Sequence, residues 1–119
     1  MIHEKYQPLT AKKLEELAPE IQKWKDEGKD LRVITVDLGE DGEFEGIFKV
    51  PSEADVKIAS RDGLKEVESN KELCRMTVLY PDPIIFSDIL TKFWGISTPI
   101  SKELVSACHI TKQARVKKL

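Results

Sequence analysis

Two β-type runs joined by a short turn constrain this sequence more than any other feature. The first run, "LRVITVDL" at 31–38, is rich in β-branched residues, and the second, "EFEGIFKV" at 43–50, alternates along its length. The linking "GEDG" ends in Asp41-Gly42, a pair typical of tight hairpin turns. An isolated hairpin is marginally stable in water, so helices or another chain must cover its apolar face. The sequence therefore predicts a two-stranded antiparallel β-hairpin packed on other elements.

An amphipathic helix is predicted before the hairpin, capped by Thr10, running to about Glu27 and stopped by Gly28. One apolar stripe marks its inner side: Leu14, Leu17, Ile21 and Trp24. Pro19 lies inside this pattern and lacks an amide donor. We therefore expect a kink, or a break into two short helices, near residue 17 or 18.

Short helices are predicted after the hairpin. Ser52 caps the first, which runs to about Ser60 with Asp55 as an imperfect capping-box partner. Gly63 separates it from a second helix over residues 71–80.

The stretch "YPDPIIFSDILTKFWG", residues 80–95, predicts a sharp corner between two helices. Tyr80 should end one helix because the residue before a proline avoids helical geometry, and Asp82 should cap the next helix with Pro83 in its first turn. The apolar residues after this corner cover more than half of the helix circumference: Ile84, Ile85, Phe86, Ile89, Leu90, Phe93 and Trp94. Such a helix is either central to the core or bound to a partner.

A last helix should begin with Thr98 as cap and Pro99 at its first position. Its inward residues are predicted to be Ile100, Leu104, Val105 and Cys108, and the basic tail "TKQARVKKL" could add a further short helix. The predicted fold is α+β in a single domain, residues 1–119. It comprises an N-terminal helix (1–30), a hairpin (31–50) and a helical half of about four short helices (51–119).

Composition excludes several classes of protein. Apolar residues make up 40% and charged residues 34% of the 119, and this apolar fraction is too high for a disordered chain. No run reaches the ~18 apolar residues of a membrane span. The start "MIHEKYQPL" lacks the pattern of a signal peptide, so we expect a cytoplasmic protein. Cys74 and Cys108 are far apart without a CxxC motif, and both are predicted to be free thiols in the core.

No catalytic, cofactor-binding or metal-binding residues are expected. The standard nucleotide-binding, metalloprotease and hydrolase motifs are missing from the sequence. His3 falls in a terminus expected to fray. His109 directly follows Cys108, so the side chains of these two residues would point about 100° apart on one helix. Of the 21 carboxylates, those in "GEDGE" belong to a turn and those in "KKLEELAPE" to a solvated helix face, whereas paired catalytic acids need burial.

Two non-enzymatic interpretations remain from the residues alone. A basic cluster near the C-terminus could contact phosphates, although a net charge of −2 argues against nucleic acid as a partner: Lys112, Arg115, Lys117 and Lys118. Four large aromatic residues on helices are either ordinary core or anchors for an apolar helix of another protein: Trp24, Phe86, Phe93 and Trp94.

The order of these motifs resembles the small tail assembly chaperones of long-tailed bacteriophages. The resemblance covers about residues 31–119 and rests on Phe48 and Pro51 in "FKVPSEADVKIA", on the corner in "ELCRMTVLYPDP", and on the closing "VKKL". It implies a non-enzymatic protein of the host cell cytoplasm, absent from the mature virion. Such a protein coats the long helical tape measure protein until tail tube subunits polymerise around it, which makes the tail tube protein and further copies of the chain additional candidate partners.

We therefore expect the helical half to dock on a partner helix. The candidate partner-binding residues are Ile85, Phe86, Ile89, Phe93, Trp94 and Leu104. The alternative is a small nucleic-acid-binding or regulatory protein that uses the basic tail. An enzyme is a third interpretation, and it lacks any convergent set of polar residues.

Overall fold

The chain forms five helices around a small sheet in the part that the computed structural model describes, residues 2–61 and 63–112, with side chains through Cys108. In chain order the elements are α1 (Ala11–Asp26), β1 (Leu31–Asp37), β2 (Glu43–Lys49), α2 (Glu53–Ala59), α3 (Glu66–Thr77), β3 (Val78–Tyr80), α4 (Pro83–Lys92) and α5 (Ser97–Lys112). The predicted α+β class and its order of an N-terminal helix, a hairpin and four further helices are confirmed.

The hairpin forms as predicted, with β1 and β2 antiparallel in one unbroken register from Leu31 opposite Lys49 to Asp37 opposite Glu43. A short 3-10 turn, Gly39–Asp41, closes it, and the Leu38 N–H donates to the Gly42 oxygen over 2.7 Å. The positive φ angles fall on Gly39 (65°) and Gly42 (90°), while Asp41 keeps a negative φ. Glycines at both ends of the turn therefore supply the left-handed geometry.

A third strand lies where the sequence predicted a helix. The helix expected over 71–80 begins at Glu66 and ends at Thr77, and β3 pairs antiparallel with β2 through a shifted register, with Tyr80 opposite Ile47. The residue before Pro81 avoids helical geometry, and the open edge of β2 supplies backbone partners. The expectation that Tyr80 ends a helix was therefore wrong, and the sheet has the order β1-β2-β3.

The core fills the space between one face of this sheet and the helices α3 to α5. Phe86 of α4 lies 5.7 Å from Phe44 and 5.6 Å from Phe48 between ring centroids, so it joins the helices to the sheet. The apolar face of the hairpin is thus covered by helices of its own chain. The other buried members of this cluster are Ile2, Ile34, Ala59, Leu73, Cys74, Val78, Ile89, Leu90, Ile96, Ile100 and Leu104.

Helix α1 lies on the opposite face of the sheet, beside Leu31, Val33 and Ile47. Thr10 caps it as predicted, accepting from the Lys13 N–H over 3.2 Å. The helix continues through Pro19, so the expected alternative of two short helices was wrong, while the expected kink stays a prediction. None of its sixteen residues is buried.

The N-terminal segment is docked on the molecule, which contradicts the expectation that it frays. Ile2 belongs to the core, and the ring of Tyr6 stacks on Phe44 at 5.7 Å. The Tyr6 hydroxyl accepts from the Glu45 N–H (2.8 Å) and donates to the Glu45 oxygen (3.2 Å), so it occupies the edge of β2 that β3 leaves open. His3 contacts Asp88 over 3.2 Å.

The starts of α2 and α4 follow local sequence, whereas the start of α5 does not. Ser52 and Asp55 form a complete capping box on α2, and Asp82 caps α4 with Pro83 in the first turn, both as predicted. Helix α5 begins at Ser97 instead of Pro99 because the 3-10 turn Trp94–Ile96 leads directly into it. The proposed tail helix falls beyond the described residues.

Candidate protein-binding surface

Three of the six predicted partner-binding residues belong to the core. Phe86, Ile89 and Leu104 have no solvent-exposed surface. The wide apolar circumference of α4 is explained mainly by its central position, with Phe86 between the two hairpin phenylalanines. A partner could contact these side chains only if the core opened, so their assignment to a docking surface is corrected.

The other three predicted residues do not lie on one surface. Trp94 is 57% exposed, whereas Phe93 is half-buried against the core, with the Lys92 ammonium 5.0 Å from its ring centre. Ile85 lines a groove on the α1 side of the molecule, and neither Phe93 nor Trp94 contributes to that groove. Ile85 therefore lies on a candidate binding surface, and Trp94 lies outside that surface.

The groove that contains Ile85 lies between α1 and the proline corner, and we call it the corner groove. Its volume is about 420 Å³. Leu17 and Trp24 of α1 form one wall. The opposite wall and the rim are formed by Lys5, Gln7, Lys13, Glu20, Leu79, Tyr80, Pro81, Asp82, Pro83 and Ile85.

Local interactions fix the shape of the corner groove. The Tyr80 hydroxyl donates to the Gln7 oxygen, and the Lys13 ammonium lies 5.7 Å from the Tyr80 ring centre. Asp82 accepts from the Ile84 N–H over 2.9 Å, which orients the corner into α4. Burial raises the pKa of the Tyr80 hydroxyl, so this group stays protonated at neutral pH and keeps donating.

A second apolar crevice of about 220 Å³ lies on the other flank of α1. Leu14 and Ile21 face Leu31, Val33 and Ile47 across it, and Val33 is 58% exposed. The apolar stripe of α1 therefore borders open space on both flanks. A helix that buries none of its residues covers this face of the sheet without sealing it.

The described side chains offer little for chemistry. Burial raises the pKa of the Cys74 thiol to about 12, and the thiol lies 3.6 Å from the Ser97 oxygen, so it is a protonated core group at neutral pH. Cys108 is also a buried thiol, as predicted, and its Sγ donates to the Pro51 oxygen over 2.9 Å. Within the described ranges, no three or more potential ligands gather as a metal site would require, and no helix has the length and apolar character needed to cross a membrane.

Two sequence-based candidates fall outside what the structure describes. The side chain of His109 is one, and the basic cluster at 112–118 is the other. The nucleic-acid interpretation that depends on this cluster stays a prediction.

Comparison of the chain with protein-family models, with curated proteins and with solved structures gave no match. The resemblance to tail assembly chaperones stays a prediction from the sequence.

Sequence reasoning identified the α1 stripe, but it named only Trp24 from this stripe as a possible anchor for a partner. The available signal was that Leu14, Leu17, Ile21 and Trp24 are the whole apolar content of one side of an otherwise charged helix. The corner groove itself could not be predicted, because β3 places the proline corner beside α1 and that strand was assigned to a helix.

Proposed function

We propose that this protein is a non-enzymatic assembly chaperone that holds an amphipathic helix of another protein in the corner groove. The observation that carries the proposal is the open apolar surface along α1, a helix with no buried residue. Grooves of this kind accept apolar side chains that recur every three or four residues along a partner helix.

The polar rim of the groove supports the same kind of partner. Lys5 and Lys13 bring positive charge, and Glu20 and Asp82 bring negative charge. A rim of both signs suits the charged flanks of an amphipathic helix, which carry both kinds of residue. A nucleic acid or an anionic membrane would instead favour a surface with a clear positive excess.

In its specific form, the proposed partner is the tape measure protein of a long-tailed phage. A very long helix exposes an apolar stripe that would aggregate, and many copies of a small domain would mask it. Reversible release fits a groove of this modest size, because repeated weak contacts provide avidity along the helix without one tight interface.

The test is co-purification of this chain with a tape measure protein, the long helical protein proposed as its partner. The paired variant Leu17→Ser and Trp24→Ser, confirmed as folded by circular dichroism, should lose the partner because both changes lie in the groove wall. The matched control is Trp94→Ser, a large exposed aromatic residue outside the groove, which should retain binding.

Binding that survives the paired variant and is lost with Trp94→Ser would place the partner on the helical half and overturn the corner groove. Failure of the unmodified chain to capture the helical protein would overturn the chaperone proposal itself.

A further inference from the structure

The outer edge of β1 carries backbone groups that the described chain leaves unpaired. β1 is an end strand of the sheet, and the hydrogen bonds Leu38 N–H to Gly42 O and Val50 N–H to Asp30 O fix which residues face β2. In an antiparallel pair the bonded positions alternate, so Val33 and Thr35 point their N–H and C=O groups away from β2. No described residue bonds to these groups.

The opposite side of the hairpin is protected. β3 pairs with β2 near Ile47, and the Tyr6 hydroxyl satisfies both backbone groups of Glu45. Among the described residues none covers β1 in this way, and the strand contains neither a proline nor a bulge, two of the features that block edge pairing. A regular edge strand of seven residues with outward-facing N–H and C=O groups is a template for pairing with another chain.

Space for a strand lies beside this edge. A cleft of about 460 Å³ separates β1 from α5, and it is lined by Arg32, Val33, Ile34, Thr35, Glu103, Ser106 and Ala107. A paired strand would lie about 4.8 Å from β1. The cleft holds one cationic and one anionic side chain, Arg32 and Glu103, so two copies of it can face each other without an excess of like charge.

We propose that β1 pairs with β1 of a second copy, antiparallel about a twofold axis at Ile34, to form a continuous six-stranded sheet. In this register Val33 lies opposite Thr35 of the second copy, the arrangement in which the free groups of both strands bond to each other. Arg32 then faces Val36, and Leu31 faces Asp37, so all seven residues of the strand are paired.

The composition of the strand favours a second copy over an unrelated peptide. The central residues Val33, Ile34, Thr35 and Val36 are all β-branched, and such residues make favourable pairs across antiparallel strands. A twofold contact is satisfied by the same patch on both partners, so one unprotected edge is covered by another.

The test is sedimentation equilibrium of the full chain, with Val33→Pro as the blocking variant. The Val33 N–H points away from β2, so proline removes a bond between copies without removing one from the hairpin. We expect a dimer whose dissociation constant rises at least about tenfold with Val33→Pro, since each copy loses one inter-strand bond. The matched control Val33→Thr keeps the N–H and the β-branched shape and should dimerise normally.

Amide exchange of the unmodified chain gives an independent readout that needs no variant. The Val33 and Thr35 amides should become protected as protein concentration rises, while the Ile34 amide, which bonds to β2, is protected throughout. If Val33→Pro does not fold, Thr35→Pro replaces it.

Three results would overturn the proposal. One is a chain that stays monomeric with fast exchange at Val33, which would leave the edge for a different protein. Another is protection of Val33 in the monomer, which would show that the chain itself covers this edge. The third is a dimer that Val33→Pro does not weaken.

Discussion

Gly46 lies where the sheet leaves no room for a side chain. A Cβ atom there would lie 2.7 Å from Cε1 of Phe48, 3.0 Å from Cζ of Phe44 and 3.0 Å from the Tyr80 oxygen. Both rings also contact the ring of Phe86, and the Tyr80 oxygen belongs to the backbone of β3. The missing side chain therefore leaves room for the rings of Phe44 and Phe48, which flank Gly46 on β2, and for the backbone of β3.

We predict that Gly46→Ala lowers the free energy of unfolding by about 1–3 kcal/mol, the usual effect of an overfilled core. Urea denaturation followed by circular dichroism measures the change. Gly95→Ala is the matched control, because a Cβ at Gly95 meets no atom within 4 Å. Equal effects of the two substitutions would mean that the contacts around Gly46 are not limiting.

The burial of the Cys74 thiol makes the free energy of unfolding depend on pH under alkaline conditions. Its pKa is raised from 9.0 to about 12, first of all by burial, so the folded state retains a proton that the unfolded state releases above pH 9. The contribution of the protonated Cys74 thiol to the free energy of unfolding is therefore complete below pH 9 and is lost as the pH rises towards 12.

Accordingly, the stability advantage of the unmodified chain over Cys74→Ala should be constant up to about pH 9. Above that pH it should fall by as much as about 1.4 kcal/mol for each pH unit. Urea denaturation of both proteins from pH 7 to pH 10.5 gives the difference in their free energies of unfolding. The ionisation of the tyrosines and of Cys108 affects both proteins equally and cancels in this difference. Parallel curves across this range would show that Cys74 ionises equally in both states.

At the scale of elements, the features predicted correctly depend on neighbouring residues. The hairpin, the Thr10 and Asp82 caps and the Ser52 capping box are each specified within a few positions of sequence. The errors depend on distant partners. β3 forms because β2 offers it an edge, and the N-terminal segment is ordered because Tyr6 reaches Glu45, 39 residues away. The candidate groove was missed for the same reason, since it exists only once β3 has formed.

The capping box of α2 gives a direct test at this scale. Ser52→Ala removes the acceptor for the Asp55 N–H, now 3.1 Å away, and should destabilise the protein by about 1 kcal/mol. Thermal unfolding by calorimetry measures the loss. Ser60→Ala, at the other end of the same helix, is the control and should change stability much less. Equal losses would contradict a specific role for the cap.

As a whole, the molecule has two sides of unequal packing. One side of the sheet carries the core with Phe86, Ile89 and Leu104 fully buried, and the other carries α1 with no buried residue. Apolar burial supplies most folding free energy, so little of it holds α1 in place. This inequality leaves the corner groove open, and it implies that α1 can detach while the core stays folded.

We therefore predict that α1 unfolds locally at a lower free energy than the core, which native-state hydrogen exchange resolves residue by residue. Amides of α1 should exchange well before those of β2. Ile89→Val, which should cost about 0.5–1.5 kcal/mol of global stability, provides the decisive comparison. It should speed exchange in β2 and leave α1 unchanged, because Ile89 stays packed when only α1 opens. If α1 amides accelerate in parallel with those of β2, the helix unfolds only with the core, and the groove beside it is a fixed feature of the fold.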